Sequence, residues 1–118
     1  MNDFEIIQKF YDETNNDKVV WKRVVKNITM SKTAATYTTK FIGLDIVEIA
    51  PTQYTDTNSL MTKHSYRLSF YDGTSYCYKN ITGPSGSDIF QSLKRLFDLI
   101  EAKTNNLDNK LNDFFKSL

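Results

Sequence analysis

Apolar residues change their spacing along this chain of 118 residues, and each change marks an element. Phe4, Ile7 and Phe10 or Tyr11 recur at helical spacing, with Ile6 widening the stripe. Asn2 stands where an N-cap belongs, Glu5 three residues on completes a capping-box pattern, and Thr14-Asn15-Asn16-Asp17 ends the helix. A helix this short must lay its apolar face on another element to persist. Residues 18–29, K-V-V-W-K-R-V-V-K-N-I-T, are β-branched and aromatic, which predicts a strand. Alternation fails there, and a bulge or bend near Arg23, or long lysine stems lying over apolar surface, would reconcile the pattern. Residues 30–35 read as a turn. A second extended run over 36–49 suits one bent strand or two, with Gly43 as the bend and Pro51 as the stop. Residues 52–63 are polar and read as the longest loop.

The next segment alternates most clearly. Tyr66, Leu68 and Phe70 are followed by Tyr71-Asp72-Gly73, then by Thr74, Tyr76 and Tyr78. A two-residue Asp72-Gly73 loop would scatter the bulky residues over both faces. A three-residue turn with Gly73 in the left-handed conformation pairs Phe70 with Thr74, Leu68 with Tyr76 and Tyr66 with Tyr78. That register gathers every bulky residue on one face and sets Cys77 opposite Arg67, so burial favours it. Ile89, Phe90, Leu93, Leu96, Phe97 and Ile100 then trace one helical stripe. After Thr104-Asn105-Asn106, Leu107, Leu111, Phe114 or Phe115 and Leu118 trace a second. No internal repeat appears. Strands in succession without helical crossovers predict an α+β fold in a single domain, 1–118. Its parts are an N-terminal helix, an antiparallel sheet of about four strands, and two C-terminal helices packed on one face.

Composition narrows the class. Apolar residues at 40% and charged residues at 25% describe a globular chain. No apolar run reaches the roughly 18 residues that a membrane helix needs. The acidic, amphipathic start M-N-D-F-E-I-I is not a secretory signal, and with no membrane association expected, a cytoplasmic location follows. Cys77 is the sole cysteine, which excludes an internal disulfide and argues against a cysteine metal site. The Asn27-Ile28-Thr29 and Asn80-Ile81-Thr82 triplets are chance matches in a chain rich in Asn and Thr. The net charge of +1 hides a segregation. Residues 1–17 hold Asp3, Glu5, Asp12, Glu13 and Asp17 against Lys9, whereas residues 18–44 hold Lys18, Lys22, Arg23, Lys26, Lys32 and Lys40 and no acid.

Candidate chemistry is sparse. The N-I-T-G-P-S-G-S-D-I-F stretch, Asn80 to Phe90, puts a Gly- and Ser-rich loop before a helix, where proteins often hold phosphate. It lacks the Lys-Ser/Thr ending of a P-loop; Pro84 removes an N–H, and Asp88 adds negative charge. Ser85 or Ser87 as a helix cap, with Ser85-x-x-Asp88 as a capping box, accounts for the same residues. His64 lies between Lys63 and Ser65 as a polar surface residue, away from Cys77 in the favoured register. Asp98 and Glu101, near Lys94 and Arg95, suit a solvated helix face. No pair of acids sits in an apolar setting that would shift a pKa for acid–base work, so no catalytic residue, metal or cofactor is expected.

The basic stretch is the one remaining handle. Lys22, Arg23, Lys26, Lys32 and Lys40 would form a positive patch beside Trp21 if residues 18–29 and 36–49 pair. Against a nucleic-acid role stands a pI near 7.8, and strand lysines also guard sheet edges against aggregation.

A short helix, the Asp17-Lys18-x-x-Trp21 strand entry, the Asp-Gly hairpin and the L-x-x-L-F-D-L-I-E-A helix resemble small uncharacterised proteins of low-GC bacteria, their phages and mobile elements. The resemblance is one of layout over most of the chain, and carries no catalytic residues. It implies a setting in which small single-domain proteins act as inhibitors, immunity proteins or accessory factors. The leading expectation is therefore a non-enzymatic protein-binding module. A nucleic-acid-binding accessory protein and a small-ligand-sequestering protein are the alternatives, and a homo-oligomer is compatible with each.

Overall fold

A computed structural model describes residues 1–29, 32–40, 45–55, 58, 60–104 and 107–118, leaving aside the side chains of 25–29, 32–35, 40, 54–55 and 107–109. Helix α1 (Asp3–Asn15) precedes five strands: β1 (Lys22–Thr29), β2 (Lys32–Lys40), β3 (Ile46–Thr55), β4 (Thr62–Tyr71) and β5 (Cys77–Thr82). Helices α2 (Asp88–Thr104) and α3 (Leu107–Lys116) follow. The strands form one antiparallel meander in chain order, so the class is α+β, with five strands among the described residues where about four were expected.

The N-terminus of α1 forms as its sequence predicts, with the Asn2 side chain accepting from the Glu5 N–H at 2.9 Å. Past its end, Asp17 takes a positive φ of 60° that turns the chain toward the sheet. Ile7 and Phe10 are buried, whereas Phe4 is exposed. On β3 and β4, Val47 opposite Phe70 and Ile49 opposite Leu68 supply the sheet's apolar face. Leu93, Leu96, Phe97 and Ile100 of α2 complete the core. Tyr37 of β2 is fully buried, its ring edge-on to Phe97 at 5.4 Å and its hydroxyl donating to Glu101 at 3.4 Å. Side chains alternate across each strand, so Glu48, Arg67, Ser69 and Asn80 emerge on the opposite face of the sheet.

Several boundaries differ from expectation. Trp21 lies just before β1, not within it, which explains why alternation failed around it; the ladder's irregularity falls between Asn27 and Thr29, not at Arg23. Residues 32–35 belong to β2, and the Gly43 bend lies outside the described residues. Pro51 does not stop β3 but pairs with Tyr66 inside it. The last β2–β3 pair is Tyr37 with Ile49, so at Pro51 the strand has a ladder neighbour on one side, where a residue lacking an N–H is tolerated. The polar segment expected as a loop is strand at both ends, since β3 runs to Thr55 and β4 starts at Thr62.

The hairpin adopts neither register considered. Tyr71 faces Cys77, Phe70 faces Lys79 and Leu68 faces Ile81, with Tyr78 as the extra residue of a bulge. The cause is Asp72, whose carboxylate accepts from the Thr74 N–H at 2.9 Å, the Thr74 hydroxyl at 2.7 Å and the Tyr76 N–H at 3.0 Å. This cluster widens the loop and moves the left-handed conformation from Gly73 to Ser75, whose φ is 67°. Ile81 thereby replaces the tyrosines in the core, and Tyr76 and Tyr78 are exposed. Cys77 faces Tyr71, and Arg67 faces Thr82.

Candidate functional site

The loop before α2 is tied to β4 by hydroxyl groups. Ser65 Oγ donates to the Gly83 carbonyl, Ser85 Oγ to the His64 carbonyl, and Thr82 Oγ1 to the Tyr66 carbonyl at 2.8 Å. Ser87 is the helix cap, accepting from the Phe90 N–H at 3.2 Å, while its backbone N–H closes a turn onto the Pro84 carbonyl at 3.0 Å. Ser85 is thus a staple to the neighbouring strand, and the Ser85–Asp88 capping box does not form. Gly86 carries the turn's positive φ of 83°. Each of these serines has a structural partner, so the loop works as a hinge clamp joining sheet to helix.

Of the expected basic patch, the described side chains are those of Trp21, Lys22 and Arg23. Trp21 is buried in the core, its ring tilted 56° to that of Phe10 at a centroid distance of 6.0 Å, and its indole N–H donates to Thr14. Lys22 and Arg23 are exposed. They are neighbours in sequence on one strand, and Arg23 is in register with buried Tyr37 whereas Lys22 is in register with Thr38, so the two project to opposite faces. Lys26, Lys32 and Lys40 lie on the paired strands β1 and β2, with side chains outside the described residues.

Titratable groups show no catalytic arrangement among the described residues. His64 is exposed opposite Gln53, and Cys77 faces Tyr71, seven residues along β4 from His64, a separation of about 23 Å along the strand. No group of three His, Cys, Asp or Glu among the described residues is placed to hold a metal. Lys94 bridges Asp98 at 2.8 Å, which raises the Lys94 pKa, and Arg95 lies over the Tyr11 ring at 5.2 Å. Burial, then the Asp98 carboxylate, push the Tyr66 phenol up and keep it neutral. Among the described residues, no helix is long and apolar enough to cross a membrane.

Two apolar surfaces stand out instead. From Lys110 to Leu118 every residue of the C-terminal segment is exposed, including Leu111, Phe114, Phe115 and Leu118. Phe114 and Phe115 touch one another edge-on at 5.5 Å. The expected packing of C-terminal helices on the sheet is carried by α2, while the described apolar residues of α3 lie in solvent. A groove of about 580 Å³ also opens between α1 and the β4–β5 hairpin, lined by Ile6, Phe10, Val19, Phe70 and Tyr78 with Lys9 and Lys79 at its rim. Sequence periodicity marked the α3 stripe as apolar, but periodicity cannot tell a core face from a docking face. No family model, curated protein or solved structure matches this chain.

Proposed function

We propose that the chain is a non-enzymatic module that binds a protein partner by inserting the apolar face of α3 into a groove on that partner. The observation that carries this reading is the solvent-exposed set Leu111, Phe114 and Phe115 on one short helix, with exposed Leu118 just past its end. Spacings of three and four residues align anchors along one helical face, the arrangement used when an amphipathic helix docks in a hydrophobic groove. Aromatic anchors of this kind dominate binding energy at protein interfaces. An apolar stripe left in water confers no stability on the free chain, and burying it against a partner recovers the hydrophobic term. In the setting that the layout resemblance implies, an inhibitor or immunity-type accessory role suits a module of this size.

The test compares the full chain with Phe114→Ser/Phe115→Ser as bait. A partner held by the parent and lost with the double variant, at unchanged thermal stability, supports the reading. Equal capture by both, or none by either, removes α3 as the contact. A salt-sensitive gel shift abolished by reversing Lys22 and Arg23 would favour nucleic acid instead.

A further inference from the structure

We propose that Arg67 forms the centre of a small-oxyanion site, for a carboxylate or phosphate group, on the sheet face opposite the helices. Tyr66, Leu68 and Phe70 of β4 turn toward the helical layer, so Arg67 between them emerges on the other face, with Ala50 and Thr82 as its cross-strand neighbours. It lines a pocket of about 280 Å³ with Thr52, Gln53, Thr82, Gly83 and Pro84. None of these is a carboxylate. Arg67 Nε is buried and has no hydrogen-bond partner, and the ion pairs among the described residues do not include Arg67. Glu48 is the nearest carboxylate by register on that face, opposite Ser69, and it does not line the pocket.

A guanidinium stays charged at every accessible pH, so a buried N–H of this group cannot escape its cost by losing its proton. Two oxygens of one planar or tetrahedral anion can accept from Nε–H and an Nη–H together, which satisfies the orphaned donor and neutralises the charge at once. Thr52, two residues from Ala50 and so on the same face of the sheet as Arg67, brings a hydroxyl as a further donor. The Thr82 hydroxyl is engaged with the Tyr66 carbonyl, and so shapes the wall without donating inward. The pocket lies below the roughly 300–1,000 Å³ range of drug-sized sites, which selects a small anion or a single anionic group. The clamp formed by Ser65 and Ser85 holds Gly83 and Pro84 at its edge, so the wall is rigid before any ligand arrives. This inference is independent of the α3 reading.

The experiment titrates the 118-residue chain with inorganic phosphate and, separately, with acetate, followed by nitrogen–proton NMR. Saturable shifts centred on the Arg67 Nε–H and on the Thr52, Gln53 and Gly83 amides are expected. Saturation with phosphate alone assigns a phosphate site, and saturation with acetate, alone or as well, assigns a carboxylate-accepting one. Arg67→Lys keeps the charge but loses the fork, and should weaken binding at least tenfold. Non-saturating or scattered shifts with both anions overturn the proposal, as does unchanged affinity in Arg67→Lys. Thr52→Val, at the pocket wall, provides a second variant if Arg67→Lys does not fold, and undiminished binding in it would also count against the site.

Discussion

Trp21 donates its indole N–H to the Thr14 hydroxyl at 2.9 Å, and both residues are buried. This bond joins the end of α1 to the entry of β1 across the turn at Asp17, and it lets the one tryptophan enter the core with its polar atom satisfied. Thr14→Val keeps shape and β-branching but leaves the indole N–H unpaired in the interior. The expected cost is about 1–3 kcal/mol, read as a lower urea midpoint with Trp21 fluorescence as the probe. Thr14→Ser retains the acceptor and should cost less than the valine variant; the reverse order would refute the hydrogen bond's role.

Gly83 and Gly86 share one loop and should respond differently to alanine. A Cβ on Gly83 would stand 2.7 Å from Ser87 Oγ and 2.9 Å from Ile89 Cβ, at the first turn of α2. Gly83→Ala should destabilise by about 1–3 kcal/mol through this overpacking. Gly86 has open space around it but a φ of 83°, so Gly86→Ala meets only left-handed backbone strain, about 1–2 kcal/mol. Denaturant melts of both variants measure the difference. A neutral Gly83→Ala would show that the clamp yields.

Asp72 gathers three donors, and hydrogen bonds from Thr74 and then Tyr76 hold its carboxyl below the ordinary value of 3.8. A folded pKa lower than the unfolded one means that the unfolded chain takes up the proton first. Its stabilisation is therefore fully present above the unfolded value and is lost as pH falls through the lower folded value. Asp72→Asn should flatten this part of the stability profile between roughly pH 5 and 2. An NMR titration of the Asp72 carboxyl that gives an unshifted midpoint would contradict the loop geometry.

The two C-terminal helices predict opposite mutational behaviour. Leu96 of α2 is fully buried, so Leu96→Ala should cost about 2–5 kcal/mol. Leu111 of α3 is 43% exposed, and Leu111→Ala should stay within about 0.5 kcal/mol. Thermal or chemical melts check both. A large loss from Leu111→Ala would mean that α3 is buried in solution, by its own chain or by another copy.

Local chemistry was readable along the chain: the Asn2 cap, the Ile7 and Phe10 face of α1 and the apolar stripe of α2 all follow from neighbours within a few residues. The decisive corrections involve partners far away in sequence. Pro51 is compatible with a strand because β2 ends its pairing at Ile49, a fact that no local rule contains. The hairpin register followed burial in expectation, but three hydrogen bonds to one Asp72 carboxylate shift it, and Ile81 takes the place reserved for two tyrosines. Trp21 read as the aromatic of a basic patch and is a core residue with a polar anchor. Arg67, passed over as one polar position in an alternating strand, became notable once its neighbours Thr52, Thr82 and Gly83 were known. The reason is common to all four: periodicity reports which residues share a face, whereas the packing of distant segments sets which faces are covered and which donors find acceptors.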